Sequence, residues 1–188
     1  MIKTEKPLPI DLKDKKLNLF LEDLSWPKAS SYQDRLIARA VVFDGYDLFF
    51  AHVHRDDIFG KMDFLETSGG GVKEGESLIQ GLKRELREEL GFEVEVVAEL
   101  GQVTDFYNLI GRRNLNHYFL ARKIKEVPPS LMEDEKNQFH LTLAKVSYEE
   151  ALEVYKKNKD EKLGRLLYNR EVPVIELAEA VIKSYGLM

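Results

Sequence analysis

The stretch Gly70-Gly71-Val72-Lys73-Glu74-Gly75-Glu76-Ser77-Leu78-Ile79-Gln80-Gly81-Leu82-Lys83-Arg84-Glu85-Leu86-Arg87-Glu88-Glu89-Leu90-Gly91-Phe92 places a leucine ladder and a set of glutamates behind a glycine run. Leu78, Leu82, Leu86 and Leu90 recur at every fourth position with Ile79 beside them, which predicts an amphipathic helix over 76–90, and Gly91 stands where a C-terminal cap belongs. Gly81, inside that helix, costs about 1 kcal/mol relative to alanine and signals either close packing against a neighbour or a local weakness. Upstream, Gly69-Gly70-Gly71 allows backbone approaches that side chains forbid. At the helical repeat, Glu85, Glu88 and Glu89 fall within an arc of about 100° beside the leucine stripe. If that arc is solvated, repulsion costs a few tenths of a kcal/mol per pair, and Lys83, Arg84 and Arg87 suffice to neutralise it. If it is half buried, each pair at ~6 Å repels by roughly 3 kcal/mol and calls for a cation. Oxygen-only donors select a hard ion, Mg²⁺ or Mn²⁺.

Working outward, the runs 36–43 (LIARAVVF) and 48–54 (LFFAHVH) flank Asp44-Gly45-Tyr46-Asp47, the pattern of a β-hairpin. Phe64 to Glu66 reads as a short strand entering the glycines. Phe92 to Asp105 and His117 to Ile124 read as two more strands, joined by a polar loop, FYNLIGRRNLN, at the rim of a site. Val127-Pro128-Pro129 ends the second of these. The acidic run Glu133-Asp134-Glu135 precedes an alternating segment, Phe139 to Val146. Ser147 with Glu150 forms a capping box that opens a helix to about Lys157. Pro173 suits the first turn of a last helix ending near Tyr185. The first thirty residues, with a short apolar patch from Leu17 to Leu24 before Trp26-Pro27, read as an extension wrapped on the domain that builds no interior. Strands interleaved with helices predict an α/β layered domain with a helical C-terminal tail.

The chain has 188 residues, 28 basic and 33 acidic, for a net charge of −5, and 44% of it is hydrophobic. That size supports a full core without staples. The absence of cysteine excludes thiolate catalysis and cysteine–zinc sites. The acidic balance argues against nucleic acid polymers and anionic membranes as partners while leaving room for a small anionic ligand. No segment has the apolar length of a signal peptide or a membrane span, so the expectation is a cytoplasmic protein.

Gly70, five residues, Glu76, seven residues, then Arg84-Glu85-Leu86, Arg87, Glu88-Glu89, Leu90, Gly91-Phe92 resembles the box of the Nudix hydrolases at every fixed position. The resemblance covers 70–92. It implies an αβα sandwich with a mixed β-sheet, with a Nudix domain over 34–158, an N-terminal extension over 1–33, and C-terminal helices over 159–188 packed on the domain. It further implies Mg²⁺-dependent cleavage of a phosphoanhydride in a nucleoside diphosphate linked to another group, with Mn²⁺ an alternative ion. Candidate substrates are ADP-ribose-like compounds, nucleotide sugars, dinucleoside polyphosphates and nucleoside triphosphates. Carried over position by position, Glu85, Glu88 and Glu89 look like metal ligands. A carbonyl of Gly69 or Gly70 looks like a further one, Arg84 like the residue that orients Glu85, and Glu76 like its ion-pair partner or an outer-shell ligand. The general base in similar enzymes comes from the box helix or from a later loop, where Glu133 and Glu135 stand. Two departures are visible: Thr67-Ser68 replaces a proline common before the glycines, and Gln80-Gly81 replaces alanines common in the box.

For substrate contacts the sequence offers Tyr107, able to stack on a base or simply to pack, and Arg112 and Arg113, able to meet phosphate or to sit on a solvated loop. It also offers Arg39, which interrupts an apolar strand and must face a cleft or find a buried carboxylate. His52, His54, His117 and His140 are left unassigned. A nucleotide-sensing module without catalysis is the alternative, although its box carboxylates would be dispensable. An RNA 5′-end hydrolase would need a basic groove, and an isopentenyl diphosphate isomerase would be expected to carry a cysteine. The patch 17–24 and the C-terminal helices offer apolar surface to a homodimer.

Overall fold

Alternation along 36–43 builds the centre of the sheet. The computed structural model describes residues 7–130 and 141–188. β1 (Leu17–Leu21), β2 (Gln33–Asp44), β3 (Asp47–Asp57), β4 (Gly60–Glu66), β5 (Ser68–Gly71), β6 (Phe92–Tyr107), β7 (Arg112–Glu126) and β8 (Thr142–Val146) form one sheet. Its order is β1-β6-β7-β2-β3-β4, with β5 added to β2 and β8 to β3. The sheet is mixed: β1 runs parallel to β6 and β2 parallel to β7, while the other pairs are antiparallel. The hairpin of β2 and β3 turns at Asp44–Asp47, as the sequence predicts.

Period-two alternation gives β2 two apolar faces. Ala38, Ala40 and Val42 pack with Leu82, Leu86 and Leu90 of α1 (Leu78–Glu89). Val41 and Phe43 face the opposite layer, where α2 (Tyr148–Asn158) and α3 (Lys162–Ser184) supply Ala151, Tyr155, Leu166, Leu167, Val174, Ile175 and Ala178. The result is an αβα sandwich. Each buried leucine or phenylalanine contributes about 1.5–3 kcal/mol to holding the layers together. Both predicted helix starts carry complete capping boxes, Ser77 with Gln80 and Ser147 with Glu150, and Gly91 follows α1 with φ +68°. Among the described residues, no helix is long and apolar enough to cross a membrane.

Three expectations are corrected. The N-terminal segment does build interior: Ile10 and Leu12 are buried in the larger core cluster, and Leu17 to Leu21 pair with Gly101 to Asp105. Gly101 makes that docking possible, because a Cβ there would lie 2.1 Å from the Leu17 carbonyl oxygen, and its φ of +125° disfavours any side chain. The expected loop 106–116 is mostly strand. β6 and β7 continue to Tyr107 and Arg112, and only a tight 108–111 turn, closed by Gly111, lies between them. Its polarity misled because Asn114 and Asn116 are buried, their side-chain amides donating across the hairpin to Asp105 and to the Val103 carbonyl. The last helix begins at Lys162, not near Pro173, which lies inside it. A proline there sacrifices a backbone hydrogen bond. The continuous buried face from Leu163 to Ile182 offsets that loss.

Candidate active site

Beyond Val42, β2 parts from β3 and pairs instead with the glycine strand β5 over Ile37–Ala40. This divergence opens two adjoining cavities of about 180 and 410 Å³ that share Arg35, Ile37, Arg39, Arg55 and Glu66. Gly69, Gly70 and Glu89 line the smaller, and Phe59, Tyr107, Ile110, Arg112, Asn114 and Arg170 the larger. A larger cavity of about 530 Å³, between β4 and α2, holds none of the box glutamates. A box carboxylate and arginines meet in the smaller pair.

On α1 the glutamates are not a solvated face. Glu85 is 7% exposed, and Glu88 and Glu89 are half-buried. Lys83 is exposed, and Arg87 pairs with Glu93 off the helix, so neither neutralises the box carboxylates. Arg84 serves as the hub. Its Nε and Nη2 donate to the two oxygens of Glu76 at 2.7 and 2.9 Å, its Nη1 to Glu85 at 2.5 Å and Glu88 at 3.3 Å, and its Nη2 to the Gly71 carbonyl at 3.0 Å. These bonds, with the Lys73 amide, pull the Glu76 carboxyl down to about 2. One guanidinium thus ties the glycine strand to the helix. Gly70 completes the fit, since a Cβ there would fall 2.5 Å from Glu85 Cδ. Gly70→Ala is expected to displace that carboxylate and lower turnover about 10- to 100-fold with the chain still folded, as kcat and circular dichroism would report.

Glu89 stands apart. Its Oε2 accepts the Gly69 amide at 3.0 Å, and it forms no ion pair among the described residues. Burial pushes its carboxyl up to about 8, with the Gly69 amide and Arg39 pulling the other way. As arranged, no three acidic or histidine side chains among the described residues converge on one point. Arg84 draws Glu85 and Glu88 to itself while Glu89 turns to Gly69. The donor set still suits a hard divalent cation: three carboxylates on one helix, one of them desolvated and without an ion pair among the described residues, beside the glycine strand.

Facing them is a positive wall. Arg39, interrupting its apolar strand, does both things the sequence allowed. It lines the cavities, forms an ion pair with Glu66 at 2.9 Å, and donates to the Thr67 carbonyl at 2.8 Å and to Asn116 at 3.3 Å. Burial works against its charge, and Glu66 more than compensates. Behind it lies Arg170 of α3, 1% exposed, bonded to Glu171 at 2.8 Å, Asp105 at 3.0 Å, the Tyr107 hydroxyl at 3.1 Å and Glu66 at 2.7 Å. Glu171 also accepts from Thr67 and Tyr118. Sequence reasoning missed this network. Its signal was a charged pair, Arg170-Glu171, set in the apolar run from Leu166 to Ile182.

The structure brings Glu85, Glu88, Glu89, Arg84, Glu76, Gly69, Gly70, Arg39 and Arg112 to one region. Tyr107 is packed, its hydroxyl on Arg170 and its ring edge-on to Phe59 at 5.7 Å, so it offers the cavity little face for a base. Arg113 turns to Asp34 and lines neither cavity. Glu133 and Glu135 lie outside the described residues. Arg35, Arg55 and Phe59 were missed. Strand alternation was the available signal for the two arginines, since Arg35 shares a face with Ile37 and Arg39, and Arg55 with Val53.

The NUDIX-domain family model matches residues 35–167, and the chain belongs to that family of hydrolases. Among solved structures it is similar to an ADP compounds hydrolase, with 20% identity over 84% of this chain and 77% of that one and a TM-score of 0.61. It is also similar to a NUDIX hydrolase from Nitrosomonas europaea, with 18% identity, 79% and 90% coverage and a TM-score of 0.60. The E. coli ORF135 protein shows 21% identity, 82% and 94% coverage and a TM-score of 0.56. At these identities the likeness is one of fold. No curated protein matches the chain.

Proposed function

We propose that the protein is a divalent-metal-dependent pyrophosphohydrolase of a small nucleoside diphosphate derivative, working in the cytoplasm. The observation that carries this reading is Glu89. A desolvated carboxylate without an ion pair, beside Glu85 and Glu88, faces a cavity whose other wall is arginine. A diphosphate joins two such walls, through cations on the acidic side and directly on the basic one.

Glu85, Glu88 and Glu89, with a carbonyl of Gly69 or Gly70, are the residues that hold Mg²⁺, or Mn²⁺ in its place. The bound ion supplies polarisation of phosphoryl oxygens and lowers the pKa of water. Arg84 and Glu76 keep Glu85 and the glycine strand in register with one another. Arg39, fixed by Glu66, donates to the substrate's phosphoryl oxygens. The attacking water gives its proton to a carboxylate, for which Glu133 and Glu135 are candidates alongside the box glutamates.

The test is formation of a nucleoside monophosphate and the second phosphomonoester from a panel of nucleoside diphosphate derivatives, read by chromatography, with Mg²⁺ and with a chelator. Turnover on at least one compound, abolished by the chelator, is the expected result. Tight metal-independent binding without turnover on any of them overturns it in favour of a nucleotide-sensing module.

A further inference from the structure

Pairing off the charges in the two cavities leaves a remainder. Arg39 and Arg170 are met by Glu66, Asp105 and Glu171, and Arg55 by Asp57 at 2.6 Å. Arg35 and Arg112 form no hydrogen bond or ion pair among the described residues, and both line the larger cavity. They sit on paired parallel strands, Arg35 opposite Asn114 and Arg112 opposite Gln33, two residues out of step. The Arg35 guanidinium reaches over the glycine strand, 3.5 Å from where a Gly71 Cβ would be, and so lies near the box. Arg112 lines only the cavity away from Glu89. Partial desolvation, then the charges of Arg112 and Arg39, hold Arg35 below the usual arginine range.

Asn114 lines the same cavity but is 4% exposed, with Nδ2 donating to Asp105 at 2.8 Å and Oδ1 closed off from the cavity, so it offers a ligand no contact. The two arginines are neighbouring cations without an anion, Arg35 exposed and Arg112 half-buried, and together they attract one. The cavity therefore suits a group that carries about two negative charges. A neutral sugar would leave both arginines unmatched.

We propose that the cavity beyond the carboxylate helix binds a further phosphate of the substrate, additional to the diphosphate that is cleaved, held between Arg35 and Arg112. This rests on the pyrophosphohydrolase reading for the position of the diphosphate. It selects phosphate-rich substrates over neutral nucleotide sugars. The extra phosphate has two possible sources, a phosphomonoester on the nucleotide or a chain of three or more phosphates.

The experiment is calorimetric binding in a chelator, where no turnover occurs, with matched probes. NAD against NADP and dephospho-coenzyme A against coenzyme A differ by one phosphomonoester. Diadenosine diphosphate, triphosphate and tetraphosphate differ in chain length. The more phosphorylated member of at least one series is expected to bind about tenfold tighter or more. The series that shows it names the source. Arg112→Gln should remove that advantage without weakening the less phosphorylated member, and Arg35→Gln, a separate variant in a residue shared by both cavities, should weaken the more phosphorylated member by the larger factor. Equal affinity for both members in every series, no binding of either, or an equal loss for both in the variants overturns the proposal. Failure of the hydrolase reading appears elsewhere, as absence of chelator-sensitive turnover with the binding difference intact.

Discussion

Glu89→Gln is expected to lower metal-dependent turnover about a hundred- to a thousandfold while leaving the chain as stable as before, or slightly more so. The amide keeps an oxygen for the Gly69 N–H, now accepting at 3.0 Å, and it nearly preserves the side chain's volume. What it removes is a charge that the fold leaves without an ion pair in a desolvated position. Folding therefore loses nothing, since an uncompensated buried charge stabilises nothing. The reaction loses part of its hold on the cation, and metal assistance is worth several kcal/mol of the barrier. The measurements are kcat across a Mg²⁺ titration and a urea unfolding midpoint on the same preparation. Unchanged kcat and unchanged metal dependence would remove Glu89 from the proposed site.

Arg170→Met is the converse case, in which a charge the fold requires is taken away. Methionine fills much of the space of the arginine stem, so packing changes little. Asp105 and Glu171, both 0% exposed, lose their guanidinium partner, and Glu66 keeps its ion pair with Arg39. Breaking a buried pair by deleting one member costs about 3–5 kcal/mol, because the remaining charge stays out of water. Urea denaturation should show a loss of that size. A second substitution, Glu171→Gln, should restore part of it by removing one of the stranded charges. A loss under about 1 kcal/mol would mean that water reaches the network. Because Arg170 and Arg39 share Glu66, the residual activity of a folded Arg170→Met protein should also fall.

Much of the scaffold was legible in the chain. The leucine ladder of α1, the Ser147–Glu150 capping box and the β2–β3 hairpin are local features, encoded by residues at most a few positions apart. They appear at or within a residue or two of the predicted places. The box glutamates were legible by spacing alone. Their condition was not, because Lys83, Arg84 and Arg87 looked equally able to neutralise them. Only Arg84 does, and it serves Glu76, Glu85 and Glu88 together. The misreadings share one cause. Asn114 and Asn116 looked like loop residues, Pro173 like a helix start, and Ile10 with Leu12 like part of a surface strap. Each is overruled by neighbours in space that lie outside its own run of residues.

The sequence by itself determined the helix that carries the carboxylates, the glycines that let a strand approach it, and the family in which that pairing is used. Such properties follow from side-chain period and backbone freedom, which act over a turn of helix or a few residues of strand. Only the tertiary structure decided which charges are neutralised. Arg170 reaches Asp105 and Glu66 across 65 and 104 residues of chain, and Arg39 reaches Glu66 across 27, so those cations are matched while Arg35 and Arg112 are left facing the cavity. Electrostatic energy depends on distance and desolvation in space, and neither can be read from order along the chain.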